Sequence, residues 1–282
     1  MITKTEAVVL KTMKYRDTSK IVTFYTRRFG KMRGIAKGAR QLKNKFGSSL
    51  DPLSRVALVF YKKEQRELQL ISQCDILGAS KGIRSDLDKM ATGLAVLELV
   101  DQLSHEEENE PLYLLLSETL ERIETAGKNV TNLYYAFAVR CSALLGFMPD
   151  VSSCSACSRT LNSLEGEGSV LFRLSSGGIV CNTCAGERRS LVGRQYSHER
   201  SSGYRPSAGS RDEERIRISI STVKSLSFLL HAPLVNVTAL ALAPPEGNEI
   251  DGTLRLYLRQ HFESMRPVKA LDLLKKFDIV RS

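Results

Sequence analysis

The chain has 282 residues and a formal net charge of +10, with 42% hydrophobic and 26% charged residues. Those proportions are those of a globular protein long enough for two domains. No apolar run approaches the ~18 residues of a membrane-spanning helix, and MITKTEAVVLKTMKY lacks the apolar core and cleavage site of a signal peptide, so a cytoplasmic protein is expected.

The first 80 residues read as five short strands. Glu6 to Met13 is the first, and Lys20 to Thr26, rich in β-branched and aromatic residues, is the second. Phe29-Gly30 turns the chain into a third, Lys31 to Lys37; Arg55 to Tyr61 and Leu68 to Cys74 complete the set. Five strands with a longer connection between the third and fourth predict a small OB-type barrel, although an SH3-like barrel gives a similar string.

This region holds 17 lysines and arginines against 6 acidic residues, while the rest of the chain is close to neutral. The excess centres on one stretch. Between Asp17 and Asp51 lie Lys20, Arg27, Arg28, Lys31, Arg33, Lys37, Arg40, Lys43 and Lys45, with no acidic residue among them. Such a concentration suits a polyanion, because each cation that meets a phosphate releases counterions. These nine are the candidate nucleic-acid-binding residues. Single-strand binders add aromatic platforms for bases, and Tyr15, Tyr25 and Phe46 are the candidate rings; Phe24 and Phe60 are expected in the core.

After Ser80 the apolar period changes to that of helices. Leu87 to Leu103 is one. Pro111 is placed in the first turn of another, through Ile123. Asn129 or Thr131 is a candidate cap for a third, which Gly146 and Pro149 end. Residues 150–186 carry Cys154-Ser-Ala-Cys157 and Cys181-Asn-Thr-Cys184 around a predicted hairpin, Val170 to Leu174 and Ile179-Val180. Two C-x-x-C knuckles offer four thiolates to one tetrahedral zinc ion, a closed and therefore structural shell. A thioredoxin-like redox site needs one such pair, not two. Cys74 and Cys141 lie in apolar stretches and are expected to be buried. Residues 187–215, polar and Ser/Arg-rich, are expected to form a flexible loop. Helical periodicity returns at Thr222 to His231, Ile250 to Phe262 and Val268 to Phe277. No phosphate-binding loop, dinucleotide motif or H-E-x-x-H occurs, and no nucleophile–base pair is evident, so no enzyme is predicted.

The fold class expected is α+β and multi-domain. An OB-fold nucleic-acid-binding domain spans 1–80 and a helical domain 81–282, the latter carrying the inserted four-cysteine zinc module.

TFYTRRFGKMRGIAKGAR (23–40), LDPLSRVALVFYKK (50–63), LLGFMPDVSSCSAC (144–157) and FRLSSGGIVCNTC (172–184) are specific in combination. With LELVDQL (97–103), LYLLLSETLERI (112–123) and LRLYLRQHFESMRPVKALDLL (254–274), they resemble the bacterial RecO recombination mediator family nearly end to end. The resemblance implies binding of single- and double-stranded DNA, annealing of complementary strands, and loading of recombinase RecA onto DNA coated with single-stranded-DNA-binding protein. It implies as partners RecR and the C-terminal tail of that binding protein, and a location at the nucleoid. Read from the residues alone, an RNA-binding or transcription-associated OB/zinc-ribbon factor is the alternative.

Overall fold

A computed structural model of the chain describes residues 1–63, 65–78, 80–186 and 214–272. The chain divides into two compact units. The first comprises residues 1–141, 233–240 and the segment from 264 onward; the second comprises 142–232 and 241–263.

In the first unit, β1 (Ile2–Tyr15), β2 (Ser19–Thr26), β3 (Gly30–Ala36), β4 (Arg55–Tyr61) and β5 (Leu68–Gly78) close into a barrel in the order β1-β2-β3-β5-β4. β3 and β5 run parallel, Arg33 opposite Leu68 and Ile35 opposite Leu70; the other ladders are antiparallel. This is the five-stranded OB arrangement. Closure leaves no strand edge unpaired along the barrel wall. Val9, Val22, Phe24, Met32, Leu50, Leu58, Phe60 and Ile71 fill the interior.

β4 shows the alternation expected of a strand with one face on the core: Val56, Leu58 and Phe60 are buried, and Tyr61 is exposed. β2 departs from it, since Ile21 through Thr26 are all buried. The outer face of β1–β2 is covered by helices. α1 (Lys81–Ser85) packs on α2 (Leu87–Leu103) and α3 (Glu110–Thr125), and the cover is made by α2, α3 and the part of α4 (Thr131–Leu144) up to Cys141, where the first unit's share of that helix ends. The Lys11 ammonium meets the Asp101 carboxylate at 2.6 Å, and the Tyr113 hydroxyl donates to the Glu6 carboxylate at 3.3 Å. The predicted boundary at residue 80 therefore falls inside the first compact unit.

Helix starts follow their capping chemistry. Asp86 accepts the Lys89 N–H at α2, and Asn109 accepts that of Leu112 at α3, where Pro111 sits in the first turn. Asn129 does not cap α4 through its side chain. It adopts φ +49°, and its amide donates to the Thr238 carbonyl at 3.0 Å. No helix among the described residues is long and apolar enough to cross a membrane.

The second unit holds a 3-10 turn (Leu161–Glu167), β6 (Ser169–Arg173), β7 (Ile179–Val180), β8 (Arg215–Ser219), α5 (Ile220–His231) and α7 (Pro244–His261); α6 (Leu234–Val237) belongs to the first. β6 pairs with β7 in the predicted hairpin and, on its other edge, with β8. The predicted loop 187–215 lies outside the described residues, except that Glu214 leads into β8 and Arg215 begins it. α7 starts before the predicted Ile250. Pro244 and Pro245 open it, and its first turns carry no apolar stripe to betray them.

One close approach in the first unit has a testable consequence. Gly30 opens β3 at φ +58°, and a Cβ there would lie 2.0 Å from the Glu107 carbonyl oxygen and 2.7 Å from that of His105. The Lys31 N–H donates to His105 O at 2.8 Å, which seats the acidic connection between α2 and α3 against the barrel. Gly30→Ala is expected to cost roughly 2–4 kcal/mol, combining backbone strain with a steric clash. Chemical denaturation checks this; an unchanged midpoint would mean that the connection is not seated there.

Candidate nucleic-acid interface and cysteine centre

The register of β3 divides the nine predicted cations between two ends of the barrel. Ala36 pairs with Lys20 at one end and Gly30 with Thr26 at the other. A strand of this length, at ~3.3 Å per residue, separates them by roughly 20 Å.

The first end is built from the β1–β2 turn and the connection after β3. Arg40 joins the two, its N–H donating to Thr18 O and its guanidinium to Arg16 O, both at 2.9 Å. Lys37, Arg40, Lys43 and Lys45 are exposed here, and none has a carboxylate partner among the described residues. The Lys45 ammonium donates to the neutral Ser72 carbonyl at 2.5 Å, so its charge is not cancelled. Two cations that the sequence reading passed over join this end. Lys14 pairs across the ladder with Lys20, and the exposed Arg16 sits in the β1–β2 turn at φ +50°. The available signal was the turn itself, which folds these residues back beside the second strand. Asp17 shares the turn.

Arg28, Lys31 and Arg33 face the other end, in a cleft beside the β4–β5 hairpin. The Lys31 ammonium donates to the Asp101 carbonyl at 2.7 Å. Lys20 and Arg27 differ from the rest. Lys20 lies 3.8 Å from Asp51; Arg27 pairs with Glu110 at 2.7 Å and Glu6 at 3.8 Å. The counter-charge missing from the neighbouring sequence is thus supplied to these two by the fold.

The base-stacking expectation needs correction. Tyr25 is 1% exposed, with its hydroxyl 3.5 Å from the Asn109 carbonyl, and burial pushes its phenol well above the ordinary range. Phe46 is 4% exposed, within the barrel core. A base cannot reach either ring. Their strand and loop positions look open in sequence, but α2–α4 cover the face that Tyr25 occupies and the β3–β4 connection folds Phe46 inward. Tyr15 is half-buried, and the Arg16 guanidinium lies 5.3 Å from its ring centroid.

Cys154, Cys157, Cys181 and Cys184 converge in the second unit, their sulfurs all within 4.8 Å of one another. The Cys157 and Cys181 sulfurs are 3.8 Å apart, too far for a disulfide bond. Bonds of about 2.3 Å from one tetrahedral ion would set sulfurs roughly 3.8 Å apart. Backbone geometry makes the first knuckle: the Ser158 N–H donates to Cys154 O at 2.8 Å, and Ser158 takes φ +59°. Burial opposes ionisation of Cys154, but N–H groups of Cys181, Ala156 and Cys157 aimed at its sulfur outweigh this and bring the thiol down to about 6. Cys184 is pushed up to about 12, chiefly because hydrogen bonds to the Cys181 and Cys157 sulfurs hold its proton. Four thiolates at this spacing need a cation among them, so the donor set fits a divalent metal. Arg159 braces the cluster. It donates to Glu167 at 2.7 Å and Thr183 at 3.2 Å, and its own ionisation is raised by Cys181 and Cys157. Cys74 and Cys141 stand apart, buried as expected; burial pushes their thiols up to about 11 and about 12.

Two family models match the chain. The model described as Recombination protein O N terminal matches residues 1–80, and that described as Recombination protein O C terminal matches 84–187 and 177–271. A protein of Chloroherpeton thalassium named DNA repair protein RecO is 31% identical over 280 residues, covering 98% of this chain and 99% of its own. One of the same name from Salinibacter ruber is 28% identical over 279 residues, covering 98% and 95%. A third, from Syntrophus aciditrophicus, is 35% identical over 182 residues, covering 64% and 69%.

Proposed function

The chain belongs to the RecO family of DNA repair and recombination proteins, and from that premise we propose that it is a DNA-binding recombination mediator. It anneals complementary single strands and helps load recombinase RecA onto DNA coated with single-stranded-DNA-binding protein. The observation that carries this reading is the set of exposed, uncompensated cations on the barrel. Lys37, Arg40, Lys43 and Lys45 grip phosphates, with Arg16 and Lys14 beside them. Arg28, Lys31 and Arg33 add charge from the other end. Lys20 and Arg27, each held by carboxylates, brace the barrel and contribute field more than direct contact.

Annealing requires no bond chemistry, so the role is that of a binding protein. Two strands repel through their phosphates; a cationic surface screens that repulsion and raises their local concentration. The bases must stay free to pair. The burial of Tyr25 and Phe46 suits this, because a surface that holds phosphates without stacking bases leaves every Watson–Crick edge available.

Residues 1–80 supply the DNA-binding domain in this reading. The four cysteines hold one structural zinc ion, which closes their shell and braces the sheet β7-β6-β8. The partners are single- and double-stranded DNA, RecR and the C-terminal tail of the single-stranded-DNA-binding protein, at the nucleoid. The test is annealing of complementary oligonucleotides coated with that binding protein, with and without its tail. Acceleration that depends on the tail is expected. Equal rates with intact and tailless coats would contradict the mediator role.

A further inference from the structure

Resting on that DNA-binding reading, we propose that the cleft at the β2–β3 end of the barrel is a second single-strand site, so that one chain holds two strands at once. The cleft, about 510 Å³, is lined by Arg28, Lys31, Arg33, Lys62, Lys63 and Arg66. The last three come from the β4–β5 hairpin, outside the basic stretch that dominates the sequence. Tyr61 pairs with Ile2 and Leu68 with Arg33, so the hairpin between them lies beside the β2–β3 turn. Arg28, Arg33, Lys62, Lys63 and Arg66 have no carboxylate partner within ion-pair distance among the described residues. Their charge is available to a ligand.

The cleft is not a continuation of the first site. It centres on the opposite end of β3 and reaches Arg33 at mid-strand. Between the two, the outer face of the β3–β5 ladder carries Ile35 opposite Leu70, an apolar interruption of the cationic path. The neighbouring β1–β2 face is covered by helix.

The ligand chemistry follows from the wall. Phe29 is the more exposed of the two rings that line the cleft, packed edge-on against the buried Phe60 at 5.7 Å. The Lys62 ammonium lies 4.8 Å from its centroid and the Arg28 guanidinium 5.8 Å. Cations already occupy the ring, so the cleft takes a sugar–phosphate backbone and not a stacked base. Glu67, Glu106 and Glu108 also line it; their charge opposes the strand and makes this the weaker of the two sites. A strand held weakly by its backbone, facing a second held at the other end, is free to search for complementarity and to leave once paired.

The experiment counts strands per chain. Short non-complementary oligonucleotides of about eight nucleotides, one set labelled with a donor and one with an acceptor, are titrated onto the full-length chain. Sedimentation gives the stoichiometry and energy transfer reports co-binding. The wild-type chain is expected to bind two strands. The exposed-hairpin variant Lys62→Gln, Lys63→Gln, Arg66→Gln is expected to bind one, with transfer reduced at least fivefold and affinity for the first strand changed by less than about threefold. Saturation of the wild-type chain at one strand, or two strands on the variant, would overturn the proposal. A wild-type chain that binds no strand would overturn the DNA-binding reading itself, a result distinct from saturation at one.

Discussion

A Cys154→Ser chain is expected to purify without zinc and to lose the thermal stability of the unit formed by residues 142–232 and 241–263. Cys154 is 1% exposed and receives the Cys181 N–H on its sulfur at 3.4 Å. Removing the thiolate breaks the tetrahedral set and leaves Cys157, Cys181 and Cys184 with an incomplete shell. A closed structural zinc site contributes folding free energy directly, so its loss is felt by whatever it staples. Here the staple joins the knuckle at 154–157, which bridges to Ile179, to the knuckle at 181–184, whose Asn182 binds Ser169 at the start of β6. The unit's transition is expected to fall by roughly 10–20 °C, a loss of a few kcal/mol for a domain of this size. Calorimetry and elemental analysis check it. Cys141→Ser, at a buried cysteine that is not one of the four, should keep its zinc. Retention of one zinc per chain by Cys154→Ser would show that this sulfur is not a ligand.

The second large effect concerns the first end of the barrel. Arg16→Gln, Lys37→Gln, Arg40→Gln and Lys43→Gln together remove four exposed charges and keep most of each aliphatic stem. If each meets one phosphate, the loss is that of four counterion-release terms. With a slope near 0.7 per contact on single strands, four contacts amount to about 10²- to 10³-fold in affinity at 0.1 M salt. The loss is expected to be the same for oligonucleotides of different sequence, because none of these side chains is placed to read base edges. Fluorescence anisotropy with mixed and homopolymeric strands measures it. A loss confined to one sequence would point to base readout and against a phosphate grip.

Much of this architecture was legible in the sequence. β4 matches its predicted limits, Arg55 to Tyr61, because its alternation faces one core. The other barrel strands were found but drawn short or shifted by a residue, and β7 matches at Ile179–Val180. β1 extends to Ile2 and Tyr15 through polar residues whose pairing partners, Tyr61 and Ser19, lie far off or across a turn. The cysteine centre was readable because knuckle spacing is a local constraint. What the sequence could not show was long-range. β8 joins the sheet of the cysteine module from across the 187–213 segment. Helices cover the β1–β2 face, which takes Tyr25 out of solvent. Arg27 finds Glu110, 83 residues away. In sequence the cations of residues 20–45 form one run, whereas the register of β3 splits them between two ends and the β4–β5 hairpin adds Lys62, Lys63 and Arg66 to one of them.

The central claim is that the barrel holds nucleic acid by phosphate contacts that leave the bases free. The salt dependence of single-strand binding tests it most directly. For the wild-type chain the logarithm of the association constant should fall steeply and linearly with the logarithm of salt concentration, with the same slope for every sequence. For the four-residue variant the slope should be shallower by roughly 3, the equivalent of four lost contacts. Identical slopes for the two proteins would contradict the account.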